Sequence, residues 1–230
     1  MPGSCTLPGG DLLKVIIAGA GLTGLSCAMT LLDENPSVQI HLFDARAEIG
    51  SPQRKPGLLH CASTHEQLMD WGVLPPAHLT LAGGRRPWVE KSLAQQLDLR
   101  GAHIHVRARL IGMSDKDVTT ASGEVHEADI ILDATGSMTG FGRPGEVNLI
   151  REKEGHPTWY GGIVSRSTFP PSRMVADRSD QSQEIWSEEP LSDDVSWIER
   201  CQGEFPESHL SMAGSVADGI ALAKSIQMVE

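Results

Sequence analysis

The sequence predicts a mixed α/β fold, a parallel sheet joined to a small antiparallel meander, and three observations point there. Residues 12–18, "LLKVIIA", form a near-continuous apolar run of strand length, as expected of a central strand covered on both faces. Gly19, Gly21 and Gly24 follow it, and Leu22, Leu25, Met29 and Leu32 then recur at the spacing of a helix with one buried stripe. A second run, "VQIHLFDA", alternates Val38, Ile40 and Leu42 with polar residues and ends at Asp44. Strand, glycine turn, helix and strand in this order make a right-handed βαβ unit.

Composition narrows the class. A chain of 230 residues can bury a full core, enough for one domain or one and a small part. With 40% hydrophobic and 21% charged residues it reads as globular, and no apolar run has the length of a membrane-spanning helix. The start, "MPGSCTLPGGD", carries no signal-peptide pattern, so a cytoplasmic location is expected. Cys5, Cys27, Cys61 and Cys201 are scattered without a C-x-x-C pair, which argues against a zinc site or a dithiol centre. A net charge of −11 argues against nucleic acid as a partner. Ten Asp and Glu face two Arg between Asp177 and Glu207, a solvated surface or a docking patch.

Along the chain, "ENPS" stops the first helix. "SLAQQLDLRGAHIHV" predicts a helix ending near Gly101 and a strand after it. The stretch from Arg107 to Gly136 predicts a meander of short strands that returns to the apolar strand Ile130 to Leu132. From about Gly142 to Pro206 periodicity fades, so loops and a few short strands are expected. "HLSMAGSVADGIALAKSIQ" then reads as a short strand ending at Gly214 and a helix carrying Ile220, Leu222, Ala223 and Ile226. The expected organisation is a tail over 1–10, a discontinuous nucleotide-binding domain over 11–141 plus 205–230, and a small insertion over 142–204 as a substrate or partner region.

The glycine turn has a chemical reading. Gly19 allows the tight turn, Gly21 lets the backbone approach a pyrophosphate, and Gly24 lets the helix pack close to the strand; Ala20, Leu22 and Thr23 complete the loop. The phosphates then meet the N–H groups and positive dipole end of the helix. The Asp44 carboxylate is placed to accept both ribose hydroxyls and would repel a 2′-phosphate, which disfavours NADP. FAD and NAD share this adenosine-end chemistry, and a plain glycine turn with a surface aspartate is the bland alternative.

Three further stretches carry a resemblance. "DARAEIG", with Asp44, Ala45, Arg46 and Gly50, looks like the signature after the second strand in FAD enzymes of the glutathione-reductase-like superfamily. "ADIILDATG", closed by Ala134, Thr135 and Gly136, is similar to its second FAD motif, and "LSMAGSVADGIALAKSI" to its third. "PGLLHCASTHEQLMDWGV", followed by a helix, a strand and "RARLIGM", resembles the aromatic-hydroxylase and geranylgeranyl-reductase branch. The resemblance implies a Rossmann-like FAD-binding domain. In it the strand carrying Leu110 passes the adenine. Gly214, Ser215, Asp218, Gly219 and Ile220 open a helix aimed at the flavin. Ser215 stands where the third motif has Asp, so that either the hydrogen bond to the ribityl chain is weaker or Asp218 takes it over, and the stretch between the second and third motifs is shorter than the family's substrate domain.

The function expected is an FAD-dependent dehydrogenase, reductase or monooxygenase acting on a small organic substrate through the flavin ring. No second glycine fingerprint occurs, so NAD(P)H would bind transiently as electron donor. A different class stays open, an FAD-binding subunit or maturation factor active only with a partner; a simple NAD-dependent enzyme is the third reading. His60, Cys61 and His65 are candidate acid/base groups or a covalent flavin attachment, against ordinary packing. Arg54 is a candidate for holding flavin or an acidic substrate, against a solvated loop. Trp159 and Tyr160 line a pocket or the core. Trp186 and Trp197 either pack internally or anchor a second copy or partner subunit.

Overall fold

A computed structural model describes residues 12–73, 79–114, 116–136, 155–166 and 174–226. The expected tail over 1–10 and residues 142–154 and 167–173 of the expected insertion lie outside them. The chain divides into two compact units, Met1–Ser51, Leu93–Lys153 and Asp218–Glu230 in the first, Pro52–Ser92 and Glu154–Ala217 in the second.

The first unit is built on a parallel sheet. Strands β1 (Lys14–Ala18) and β2 (Gln39–Phe43) flank helix α1 (Leu22–Glu34) in sequence, as the spacing predicts. β1 pairs with β2 from Lys14↔Gln39 to Ala18↔Phe43, and on its other side with β7 (Ile130–Asp133) from Val15↔Ile130 to Ala18↔Asp133. With β3 (His103–His105) the order is β3-β2-β1-β7. Val15, Ile16 and Ile17 are fully buried, which explains the unbroken apolar run. α1 ends where Asn35 donates its N–H to the Leu31 carbonyl at 2.8 Å, one residue before Pro36, which disfavours helical geometry at its predecessor.

The meander is also present. β4 (Leu110–Met113), β5 (Asp117–Thr120) and β6 (Val125–Glu127) form an antiparallel sheet in that order. Leu110, Val118 and Ala128 pack on Ile16, Ala18 and Phe43.

Helix α2 (Ala62–Asp70) lies in the second unit, and α3 (Arg86–Leu99) runs from the second unit's residues into the first's. α3 closes as expected near Gly101, which takes φ +88° while Ala102 donates to the Leu97 carbonyl at 2.9 Å.

The second unit is more ordered than the fading periodicity predicts. β8 (Thr158–Ser165), β9 (Met174–Asp177), β10 (Ser182–Ser187) and β11 (Glu199–Glu204) form one antiparallel sheet in the order β11-β8-β10-β9. Gly161 and Gly162 look like breakers in sequence, but they admit indoles. A Cβ on Gly161 would lie 2.6 Å from the Trp186 ring, and one on Gly162 would lie 2.3 Å from Trp197. Trp186 is fully buried with Leu58, Trp159, Ala176, Phe205 and Leu210, so the expectation that it anchors a partner is corrected: it is core. Trp159 is core as well, its Nε1 donating to the Phe205 carbonyl at 3.1 Å. Leu58 in this cluster shows why residues 52–92 group with 154–217, a division different from the boundaries expected from sequence.

The strand expected to end at Gly214 is absent. A short 3-10 helix at Glu207–Leu210 leads directly into α4 (Met212–Ile226), and Gly214 sits in its first turn. Ser211 starts this helix: its Oγ accepts the Ala213 N–H at 3.1 Å and donates to the Leu59 carbonyl at 2.6 Å. Among the described residues no helix is long and apolar enough to cross a membrane.

Candidate nucleotide-binding site

In the first unit the chain leaves β1 towards β2 on one side and later returns to β7 on the other. The carboxyl end of β1 is therefore a switch point of the sheet, the place where open α/β sheets bind ligands. The three glycines stand there, each for a different reason. Gly19 takes φ +97° and donates its N–H to the Phe43 carbonyl at 2.7 Å; a Cβ on it would lie 2.6 Å from the Ala134 carbonyl oxygen. A Cβ on Gly24 would lie 1.9 Å from the Gly19 carbonyl oxygen, so α1 packs against the turn too closely for any side chain.

Gly21 differs from both. Its backbone is ordinary extended chain, φ −77° and ψ 178°, and a Cβ on it would meet nothing within 4 Å among the described residues. Among the described residues neither conformation nor packing requires glycine there; only something in front of the backbone would. Gly21 is also the N-cap of α1, with no side-chain cap, and the first turn holds no acidic residue. The positive end of the helix dipole thus faces this open space without a countercharge from its own first turn.

Around the turn, Ala20 and Leu22 are buried and Thr23 is half-buried. Ala134 donates its N–H to the Ala18 carbonyl at 2.8 Å, Thr135 turns back on the Asp133 carboxylate through its N–H (2.9 Å) and Oγ1 (2.6 Å), and Gly136 takes φ +64°. Leu110 contributes its side chain to the core under the meander. Ala45 is exposed, and Gly50 takes φ +81°.

Asp44 sits at the end of β2, 6% exposed. Oδ2 accepts the Ala20 N–H at 2.9 Å and Arg46 Nη2 at 2.8 Å; Oδ1 accepts the Arg46 N–H at 2.8 Å and Arg46 Nε at 2.9 Å. Burial opposes the charge, but the Arg46 guanidinium and these two backbone donors outweigh it and hold the carboxyl below its usual range. The expectation of a bare carboxylate repelling a 2′-phosphate therefore meets a paired one. The pairing depends on side-chain geometry, and its trace in the sequence is a basic residue two positions after the acid.

The sequence matches no protein-family profile and no curated protein. Solved structures do resemble it. A single-site variant of 2-methyl-3-hydroxypyridine-5-carboxylic acid oxygenase aligns at TM-score 0.61 and 14% identity, covering 96% of this chain and 84% of that one. CabE, an aromatic hydroxylase from angucycline biosynthesis, aligns at 0.63 and 13%, covering 95% and 62%. A geranylgeranyl bacteriochlorophyll reductase-like protein from Thermoplasma acidophilum aligns at 0.64 and 12%, covering 95% and 79%. The chain shares its fold with these three proteins. It spans less than two-thirds of CabE, and 58% of the oxygenase in another of its structures.

The remaining predicted residues have definite places of their own. In the second unit Arg54 is exposed, while Ser215 is fully buried and accepts from Arg86 Nη2 at 3.2 Å. Arg86 also donates through Nε to Glu90 Oε1 at 2.9 Å and through Nη1 to the Pro56 carbonyl at 3.2 Å. A Cβ on Gly214 would lie 2.0 Å from the Ser208 carbonyl oxygen, so its glycine serves packing. In the first unit Asp218 is exposed, Ile220 half-buried, and a Cβ on Gly219 would lie 2.4 Å from the Thr23 carbonyl oxygen, where α4 meets α1.

His60 adopts φ +48° and is exposed; with Cys61, Ala62, Leu81 and Ala82 it lines an open cavity of about 360 Å³. Cys61 is the N-cap of α2. Hydrogen bonds of its Sγ with Ser63 and Thr64 bring the thiol down to about 7, whereas burial pushes Cys27 and Cys201 up to about 12. His65 donates its backbone N–H to the Cys61 carbonyl at 3.0 Å. Among the described residues no group of three or more His, Cys, Asp or Glu is arranged to hold a metal ion.

Proposed function

We propose that this chain binds FAD and acts as a flavin-dependent oxidoreductase on a small organic substrate. The observation that carries the reading is the contrast within the glycine turn: Gly19 and Gly24 are glycine for packing, Gly21 for an open space at a helix N-terminus. That cradle fits a pyrophosphate. The sequence resemblance supports FAD over NAD, and the fold shared with an oxygenase, an aromatic hydroxylase and a reductase-like protein supports oxidoreductase chemistry.

In this reading the backbone from Gly19 to Gly24 holds the phosphates, Asp44 holds the adenosine ribose, and Ala134, Thr135 and Gly136 border the turn. When bound, the isoalloxazine supplies the redox chemistry. The chain's own work is to bind and orient it: the helix dipole of α1 favours the phosphate charge, and the buried floor of β1 excludes water from beneath the turn. Roles for Gly50, Arg54, Leu110, Gly214, Ser215, Asp218, Gly219 and Ile220 are part of the proposal, as are transient NAD(P)H and assembly with a second copy or a partner. One oxygenase neighbour is described in a tetrameric form.

Two variants test the reading together. Gly21→Val adds a side chain to open space in a backbone conformation valine adopts, so it should melt like the wild type yet fail to bind FAD. Gly24→Val must push α1 off the turn and should lose about 3 kcal/mol of stability or more. A Gly21→Val protein that binds FAD as well as the wild type contradicts the assignment.

A further inference from the structure

We infer that the Arg46 side chain is a built-in competitor for the ribose position on Asp44, so that nucleotide binding requires its displacement by a free cis-diol. The inference rests on the nucleotide reading above and concerns how that site is controlled.

The hydrogen-bond pattern on Asp44 is the basis. Each carboxylate oxygen keeps one backbone donor, Ala20 N–H on Oδ2 and Arg46 N–H on Oδ1, and these stay whatever the side chains do. Each oxygen then has one further acceptor site within the usual capacity of a carboxylate. The guanidinium fills both, Nε on Oδ1 and Nη2 on Oδ2, and anchors itself through Nη2 to the Ala20 carbonyl at 3.1 Å. A ribose with free 2′- and 3′-hydroxyls offers the same thing: two adjacent donors, one for each oxygen. The arginine fork and the cis-diol compete for one pair of sites.

Two consequences follow from chemistry. Arg46 keeps a nearly buried carboxylate paired, so that the turn does not hold an uncompensated charge. With a nucleotide, the guanidinium, on a side chain already a quarter exposed, turns out to water, and the two hydroxyls take over both oxygens. A ribose lacking one hydroxyl refills only one oxygen, so the exchange discriminates against it. Removing the fork should therefore tighten binding of a free cis-diol more than of a deoxyribose.

The test measures dissociation constants of the full chain for FAD, ADP and 2′-deoxy-ADP in wild type, Arg46→Ala and Arg46→Gln, with thermal melts to establish folding. The expected result is that both variants bind FAD and ADP about tenfold tighter, with a clearly smaller gain for 2′-deoxy-ADP. Variants that bind FAD more weakly than, or as well as, the wild type overturn the inference and make Arg46 a ligand or a bystander, while the flavin reading stands. Folded wild type and variants that bind neither FAD nor ADP overturn the flavin reading, and the inference falls with it.

Discussion

His41 Nδ1 and His105 Nε2 lie 3.2 Å apart across the β2–β3 pair, on the sheet face covered by the meander. His103 is 4.8 Å from His41 ring to ring, and Phe43 stacks on His105 at 4.4 Å with His126 of β6 at 4.8 Å from the Phe43 ring. Four imidazoles share this rim with Lys14 of β1, and Glu124 reaches His126 at 3.9 Å.

Stability should therefore fall on mild acidification. Burial, then the charges of Lys14, His103, His105 and His126, lowers His41 from 6.5 to about 4, and His105 is lowered too. The folded state resists protons that the unfolded chain accepts, so the stabilisation is complete above pH 6.5 and is lost as pH falls towards 4. Melting temperatures across that window should drop less steeply for His41→Gln than for wild type. Identical slopes would show that His41 does not titrate as described.

The buried pair Arg178 and Glu184 makes a second prediction. Both are at most 3% exposed, and Glu184 also accepts from the Gly57 N–H at 2.8 Å, Gln53 Nε2 at 3.2 Å and Trp186 Nε1 at 2.7 Å. Glu184→Ala strands a buried guanidinium and three donors, and should cost about 3–5 kcal/mol in urea unfolding. A loss below about 1 kcal/mol would mean that water reaches the pair.

Cys61 should be the reactive thiol among the three described cysteines. Its alkylation rate should be half-maximal near pH 7, whereas Cys27 and Cys201 stay unmodified in the folded protein well above that. Peptide mapping after timed alkylation reads each site separately. Ser63→Ala should move the Cys61 curve upward; a wild-type midpoint near 9 would remove the role of Ser63 and Thr64.

How much of this was legible in the sequence differs by element. The β1–α1–β2 unit was legible because β1 is an apolar run buried on both faces and the apolar spacing after it is helical; the burial of α1 was not, since every residue from Gly24 to Leu32 is buried rather than one stripe. The meander was legible because its turns carry Ser, Asp and Gly between short alternating runs. β8 was not, since Gly161 and Gly162 make room for indoles that arrive from β10 and the 191–197 loop. The start of α4 was missed for a local reason: Ser211 caps the helix, but the apolar residues around it read as a strand. In the candidate site the glycines were visible by spacing. The grip of Arg46 on Asp44 and the meeting of His41 with His103 and His105 depend on side-chain geometry and strand register, which spacing does not encode.

Whether the turn at Gly19, Gly21 and Gly24 holds FAD, as proposed, is read from the identity of the nucleotide released from purified protein on denaturation, repeated after incubation with FAD and removal of the excess. The expected result is a yellow protein that releases about one FAD per chain. Release of NAD, or of no nucleotide even after incubation with FAD, would contradict it.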